Sequence, residues 1–458
     1  MSMTLSQAVQ ALGGRLIGPD ASFDGVTTDS RKIPFGALFV ALKGERFDGH
    51  DFVLQSLEQG AAAALVDASW VESVAATAQP LIAVDDTRLA LGRLAAYWRS
   101  QFDIPVAAVT GSNGKTTVKE MLASILRAAS GVDAVLATEG NLNNDIGLPL
   151  TLLKLGPQHR YAVIEMGMNH LGEIAYLTRL AKPSVALINN AQPAHLEGLG
   201  SVDAVARAKG EIFEGLDASG IAAINADDAF ASFWKSLAAQ YNIKTFGLDN
   251  PADVSADYQL EAENSAVMLK TPQGSIAVQL PVPGLHNVRN AIAATTAALA
   301  MGVAPQHIAA GLNQFGGVKG RLQRKGGCCG STVIDDTYNA NPASMRAAIQ
   351  VLAKAPGKKI FVMGDMGELG SDAPRLHTEI GEAARTAGID RLYALGELTQ
   401  NAVGAFGAAA QRFDSVETLW EELKGELDAD TTVLVKGSRF MRMERVVEKL
   451  LQQEASCC

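Results

Sequence analysis

The chain has 458 residues, of which 48% are hydrophobic and 44 are glycine, and its net charge is −10. That length exceeds one ordinary core and predicts two or three domains, while the hydrophobic share excludes a disordered chain. An acidic balance without a Lys/Arg block disfavours a nucleic-acid partner, and neither a signal peptide nor a membrane-length apolar run is visible, so a cytoplasmic protein is expected.

In chain order, residues 37–42 and 61–66 read as short strands, with a helix over 50–59 between them. Residues 81–84 read as a further strand and residues 87–99 as a connecting helix. An apolar run over 104–109 then leads into Thr110-Gly-Ser-Asn-Gly-Lys-Thr-Thr, and a helix-forming run over 118–127 follows. Strand, glycine loop and helix in that order form a phosphate cradle. Glycines let backbone N–H groups turn inward, the helix presents its positive end, Lys115 adds a charge, and the Thr116 hydroxyl suits a metal bridging two phosphates. The common longer loop places its first glycine five residues before Gly114, where Val109 stands, so this is a shorter Gly-x-x-Gly-Lys-Thr-Thr loop. A plain Gly-Asn turn has no need of Lys115 followed by Thr116 and Thr117.

Strands over 161–165, 184–188 and 220–224 come next, and this block is expected to end in an alanine-rich helix over 288–301. Residues 316–321 read as a linker. A third block carries strands over 332–336, 359–363, 391–395 and 432–435. It has no Gly-x-Gly-x-x-Gly after its first strand and so no dinucleotide fingerprint. Such alternation predicts an α/β chain of three domains: a smaller N-terminal α/β domain over 1–85, a central doubly wound, mainly parallel P-loop domain over 86–317, and a Rossmann-like α/β domain over 318–458.

Ligands of open α/β sheets sit beyond the carboxyl ends of the strands. Glu165 closes a strand there and can hold Mg²⁺, a surface ion pair being the plainer alternative. His195 follows another strand, as a second metal ligand, a substrate contact or an ordinary loop histidine. Lys209, in a helical run over 202–213, is by default solvated. Asn287 and Asn290 share one helix face and suit a purine edge, although Asn287 could instead cap the helix. Asp335-Asp-Thr-Tyr-Asn-Ala-Asn-Pro, with Ser344 beginning the next helix, and Lys436-Gly-Ser-Arg are polar loops on one sheet edge. The pairs Cys328-Cys329 and Cys457-Cys458 lack metal-ligand spacing and read as reduced thiols.

Together these motifs resemble the Mur ligases, ATP-dependent amide-forming enzymes of peptidoglycan synthesis, over essentially the whole chain. The family's short phosphate loop matches Thr110-Gly111-Ser112-Asn113-Gly114-Lys115-Thr116-Thr117. Asp29-Ser-Arg-Lys, Leu38-Phe-Val-Ala-Leu-Lys-Gly and Phe47-Asp-Gly-His resemble its uridine-nucleotide domain. Asn141-Leu-Asn-Asn-Asp-Ile-Gly-Leu-Pro resembles its substrate loop. Pro193-Ala-His-Leu-Glu, Asp336-Thr-Tyr-Asn-Ala-Asn-Pro and Gly364-Asp-Met-Gly-Glu-Leu-Gly look most like the branch that adds D-alanyl-D-alanine to a UDP-muramoyl tripeptide. The Asp-Asn-Pro-Arg motif of the diamino-acid-adding branch is absent.

The resemblance implies ATP and Mg²⁺, two small-molecule substrates and an acyl-phosphate intermediate; a monomer is expected. It implies that Lys115 holds the β- and γ-phosphates, that Thr116 and Glu165 hold Mg²⁺, and that His195 holds a second metal. Asn287 and Asn290 would contact adenine, with Arg321, Asp336, Tyr338 and Asn339 reaching ATP from the C-terminal side. Ser30, Arg31 and Gly44 would lie near the uridine diphosphate, and Asn141 and Asn144 along the substrate. Lys209 corresponds to a lysine that several members carry as a carbamate. Two other readings stand beside this one. The long first domain speaks against a folate-polyglutamating relative. A nucleotide-driven switch would leave Glu165, His195 and the third block's loops unexplained.

Overall fold

Strands covered on both faces read as continuous apolar runs, and three segments of the chain have this character. In the computed structural model, which describes residues 1–73, 79–193, 196–261 and 263–452, Val106–Thr110 and Val185–Ile188 are buried throughout, and Tyr161–Glu165 from its second residue on. They form the middle of a six-stranded parallel sheet. Its order is Asn242–Phe246, Ile221–Asn225, Val185–Ile188, Val106–Thr110, Tyr161–Glu165, Val135–Ala137. The chain winds to one edge from Val106–Thr110 and then to the other, so strand order reverses there and a crevice opens at the strand ends. Alternate residues serve opposite cores. Val106 and Ala108 pack with Leu91, Leu94 and Leu177, whereas Ala107 and Val109 pack with Val118, Leu122 and Ala291.

The third block forms a second sheet, in the order Gln323–Gly326, Thr332–Asp336, Thr431–Lys436, Lys358–Gly364, Arg391–Leu395, Ala410–Phe413. Its first strand is antiparallel and the others are parallel. The first block has a five-stranded sheet, Arg15–Ile17, Leu81–Val84, Ala63–Asp67, Leu38–Val40 and Val26–Thr27, of which the first strand is antiparallel, and a separate antiparallel pair, Ser2–Thr4 and Ser22–Asp24. The three-domain α/β architecture stands. The first and central sheets share one apolar cluster, joined through the helix Thr87–Arg99, whereas the third sheet has two clusters of its own.

Several expectations need correction. The helix over 50–59 is a 3-10 turn, Gly49–Phe52, followed by Val53–Glu58. The helical run over 202–213 stops at Gly210 and continues as a 3-10 turn, Glu211–Gly215. The central block does not end in its alanine-rich helix, which spans Leu285–Ala300. The helix Pro305–Asn313 follows and packs on Lys115–Ser130. Ahead of the alanine-rich helix, Ser255–Leu260, Ser265–Thr271 and Gly274–Leu280 form an antiparallel sheet. Its period-2 signal was legible in Ile276, Val278 and Leu280, which turn inward between exposed neighbours. Cys328 is buried and Cys329 half-buried, and Cys457 and Cys458 lie outside the described residues.

Gly311 lets the last helix approach. A Cβ there would collide with the backbone of Ile125, while Ser124 Oγ donates to Gly311 O at 2.7 Å. Gly311→Ala is expected to cost about 1–3 kcal/mol through overpacking and to lower the thermal midpoint followed by circular dichroism.

Candidate functional site

The crevice is built from the phosphate loop outward. Gly114 sits at φ 77, in the left-handed region, and a Cβ there would collide with Asn290 Oδ1 and Asn189 Nδ2. Those two amides belong to the neighbouring strand end and the alanine-rich helix. Asn189 Nδ2 donates to Asn113 O at 2.9 Å and to Asn290 Oδ1 at 3.1 Å. Asn190 Oδ1 accepts the Asn113 N–H at 2.8 Å, and its backbone carbonyl accepts the Ser112 N–H at 2.9 Å. Side-chain amides from outside the loop therefore do the bracing that extra loop residues do in the longer pattern. The helix starts at Lys115, leaving its first N–H groups free to face the crevice. Thr110 lies behind the loop, with its hydroxyl donating to Met166 O at 2.9 Å.

Glu165 is 2% exposed, so the surface ion-pair alternative fails. Its carboxylate accepts from Thr116 Oγ1 at 2.8 Å and from Asn143 Nδ2 at 2.8 Å. Arg321 Nη2, from beyond the alanine-rich helix, also donates to Thr116 Oγ1, at 2.9 Å. The guanidinium stacks 4.2 Å from the Tyr338 ring centre, and its buried Nε has no partner. Burial pushes the Lys115 ammonium down, Glu165 opposes this, and Arg321 adds to it.

Lys209 is 2% exposed, which overturns its solvated default. It sits near the end of a helix whose Val205, Ala206 and Ala208 are buried with it. Burial, then Lys115, pushes its pKa far below the usual lysine range. Among the described residues no carboxylate pairs with it. His195 lies outside the described residues.

The third sheet closes the crevice from the other side. Lys436 pairs with Asp336 at 2.6 Å and donates to Asn339 O at 2.9 Å. Burial raises the Asp336 carboxyl, and Lys436 opposes the rise. Asn341 was not singled out from its motif, yet it bridges the two sheets: its Nδ2 donates to Asn113 Oδ1 at 2.7 Å. Its Oδ1 caps the helix Pro342–Ala353 by accepting the Ser344 N–H at 2.9 Å, so Ser344 is the third helical residue and not the first. Asn287 does not cap its helix. Gly284 holds that position, and Asn287 Nδ2 donates to Pro283 O at 2.8 Å.

The resulting cleft is about 1400 Å³ and is bordered by Lys115, Glu165, Asn287, Arg321 and Tyr338. Asn141 and Asn144 border it as well, whereas Ser30, Arg31 and Gly44 do not. Arg31 pairs with Asp29 at 2.8 Å, and Gly44 packs on the Phe47 ring. Arg88, which the motifs did not mark, reaches the cleft from the connecting helix and forms two bonds with Asp145 of the substrate-like loop. Glu165 and the Thr116 hydroxyl offer hard oxygen donors. No group of three or more His, Cys, Asp or Glu gathers among the described residues. Such a donor set fits Mg²⁺, which keeps water and phosphate ligands, better than a metal caged wholly by protein.

Three family profiles match in sequence: "Mur ligase family, catalytic domain" over residues 22–99, "Mur ligase middle domain" over 109–298, and "Mur ligase, glutamate ligase domain" over 320–439. The UDP-N-acetylmuramoyl-tripeptide--D-alanyl-D-alanine ligase of Escherichia coli is 44% identical over 461 residues, covering all of both chains. A crystal structure of MurF from Acinetobacter baumannii superposes with a TM-score of 0.92 at 40% identity, covering 98% of this chain and 99% of the other. MurF ligase from Thermotoga maritima, solved in complex with ADP, superposes with a TM-score of 0.81 at 29% identity, covering 93% and 96%.

His286 borders the cleft, and burial, with Lys436 adding, pushes its pKa from 6.5 to about 4. A folded value below the unfolded one favours the neutral ring. Its contribution to stability is therefore complete above pH 6.5 and is lost as the pH falls from there through about 4. The thermal midpoint of the natural chain is expected to fall more steeply over this window than that of His286→Gln; parallel curves would refute the assignment.

Proposed function

The chain belongs to the Mur ligase family, and from that premise we propose that it joins D-alanyl-D-alanine to UDP-N-acetylmuramoyl-tripeptide at the expense of ATP, in peptidoglycan synthesis. The reading is supported by full-length identity to the Escherichia coli ligase and by the ADP complex of the Thermotoga maritima relative. The observation that carries it is that Lys115, Glu165 and Arg321 border one cleft, with Glu165 and Arg321 meeting on the buried Thr116 hydroxyl behind it. No helix among the described residues is long and apolar enough to cross a membrane. A cytoplasmic monomer acting on small molecules fits the assignment.

A carboxylate is a poor electrophile and must first be activated. The terminal carboxylate oxygen of the tripeptide attacks the γ-phosphorus of ATP, the bond to the β-phosphate oxygen breaks, and ADP leaves. Lys115 and Arg321 offset the charge that gathers on the phosphoryl oxygens. Thr116 and Glu165 would hold Mg²⁺, which supplies further charge neutralisation when bound. The amine of D-alanyl-D-alanine then attacks the acyl carbon, phosphate departs, and the nitrogen releases a proton. Because water would hydrolyse the acyl phosphate, the third sheet's closure over the loop protects it.

On this reading the phosphates lie along the loop from Thr110 to Thr117, and the adenine lies near Asn287 and Asn290. Asp336, Tyr338 and Asn339 meet the nucleotide from the C-terminal side. The uridine end lies toward Ser30, Arg31 and Gly44, with Asn141 and Asn144 along the peptide. Burial, with Lys115 adding, lowers the pKa of Lys209 and so favours its neutral amine. That form adds CO₂, giving a carbamate and a proton. Carbamylated in this way, Lys209 would join His195 in holding a second metal.

ATP turnover by the purified chain is expected only when both the nucleotide tripeptide and D-alanyl-D-alanine are present; brisk hydrolysis with either missing would overturn the ligase reading. Lys115→Ala is expected to abolish product while leaving the circular dichroism spectrum unchanged. Lys209→Ala is expected to lose activity and to regain part of it with added short carboxylates such as formate or acetate. Failure of that rescue removes the carbamate.

A further inference from the structure

One rung of the central sheet departs from its ladder beside the phosphate helix. The edge strand Val135–Ala137 runs parallel to Tyr161–Glu165, and the Thr138 N–H still donates to Val163 O at 3.0 Å. An unbroken parallel ladder would send the Glu165 N–H on to the Thr138 carbonyl. It donates instead to Thr138 Oγ1, at 2.9 Å. The carbonyl is taken by Lys119, whose Nζ donates to it at 2.6 Å and also pairs with Glu120.

Lys119 stands one turn after Lys115 in the helix Lys115–Ser130, and its side chain is fully buried. A buried ammonium is a poor device for stability, because an apolar side chain of similar volume packs as well without the cost of desolvation. It is a good device for direction, since a charged donor holds a carbonyl more firmly than a neutral one does. Thr138 is the last residue before the segment 139–145, from which Asn141, Asn143 and Asn144 border the cleft. Asn143 is in turn tied to Glu165 and to the turn after it. Its Nδ2 donates to Glu165 Oε1 at 2.8 Å, and its carbonyl accepts the Gly167 N–H at 2.9 Å.

We propose that Lys119 is a positioning residue for the ligase reaction. By drawing the Thr138 carbonyl out of the ladder, it ends the edge strand there and turns the segment 139–145 toward the cleft. The Thr138 hydroxyl then holds the Glu165 backbone, and Asn143 holds the Glu165 carboxylate. The phosphate helix, the strand end that carries Glu165 and the asparagine segment are thereby fixed to one another. Two lysines one turn apart divide the work of the helix: Lys115 borders the cleft, and Lys119 sets the wall beside it. The inference rests on the ligase reading, in which Asn141 and Asn144 lie along the tripeptide. It adds a residue, remote from every substrate, on which the placement of the tripeptide depends.

The test measures two ligands on the full chain by calorimetry. Lys119→Met is expected to weaken binding of the nucleotide tripeptide about tenfold, with the affinity for ADP in the absence of Mg²⁺ within about twofold of the natural value, because the phosphate loop itself is untouched. In the steady state, KM for the nucleotide tripeptide is expected to rise by the same factor, and more Mg²⁺ to be needed for the half-maximal rate. Thr138→Val is expected to behave likewise, and Thr138→Ser, which keeps the hydroxyl, to retain the natural values. A general loosening of the helix would weaken ADP and the tripeptide together and would overturn the inference, as would a natural tripeptide affinity in Lys119→Met. Should Lys119→Met not fold, the comparison of Thr138→Val with Thr138→Ser decides, and equal tripeptide affinities in the two overturn it. If the natural chain neither binds the nucleotide tripeptide nor makes product, the ligase reading fails and takes this inference with it, so the two failures are distinguishable.

Discussion

The crowding of positive charge around one buried carboxylate governs this structure. Lys115 is repelled by Arg321 and itself repels Lys209 near Glu165, and burial further disfavours the charged forms of the two lysines. Water cannot screen such a cluster as it would at the surface, so the protein alone leaves it short of anions. A polyphosphate supplies them. The same deficit explains why Thr116 is shared between Glu165 and Arg321, and why Arg321 keeps a buried Nε without a partner. A site tuned in this way prefers a ligand with several negative charges over a neutral one, through Coulomb attraction that the fold has prepared in advance.

Amides brace this charged centre without adding to it. Asn113 is held by Asn189 and Asn190 from the next strand and by Asn341 from the third sheet. Neutral donors and acceptors fix the loop's shape while the charge is left for the ligand. The two halves of the cleft also differ in how they are joined. An apolar cluster runs unbroken from the first sheet into the central one, whereas the third sheet keeps its own cores and meets the phosphate loop through hydrogen bonds. Exchanging those bonds for water costs little net free energy, and exposing an apolar core would cost much more. Opening is therefore easiest along the boundary where substrates enter and where the acyl phosphate needs shelter.

Much of this was legible along the chain. The buried strands announced themselves as apolar runs, and residues 81–84, 161–165, 332–336 and 391–395 match the observed strands to the residue. Glu165 was legible because the last residue of a buried strand has one place to go. The antiparallel sheet over residues 255–280 and the helix Pro305–Asn313 were passed over, since half-exposed strands and a short helix carry weaker periodicity than buried ones. The solvated reading of Lys209 failed because helix position says nothing about which face another helix covers. Asn341 and Arg88 escaped notice because each acts on a partner far away in sequence.

By itself, then, the sequence determined the local chemistry: the strand–loop–helix cradle, the carboxylate at a strand end, and the polar loops closing the third block. These depend on neighbours along the chain, where spacing and composition carry the physics. Tertiary structure decided what those groups became. It buried Lys209 beside Lys115, put Asn189 and Asn290 where Gly114 must lack a side chain, and set Asn341 against Asn113. Each of these outcomes depends on segments brought together from distant parts of the chain. Burial and charge proximity are properties of that packing and have no one-dimensional signature.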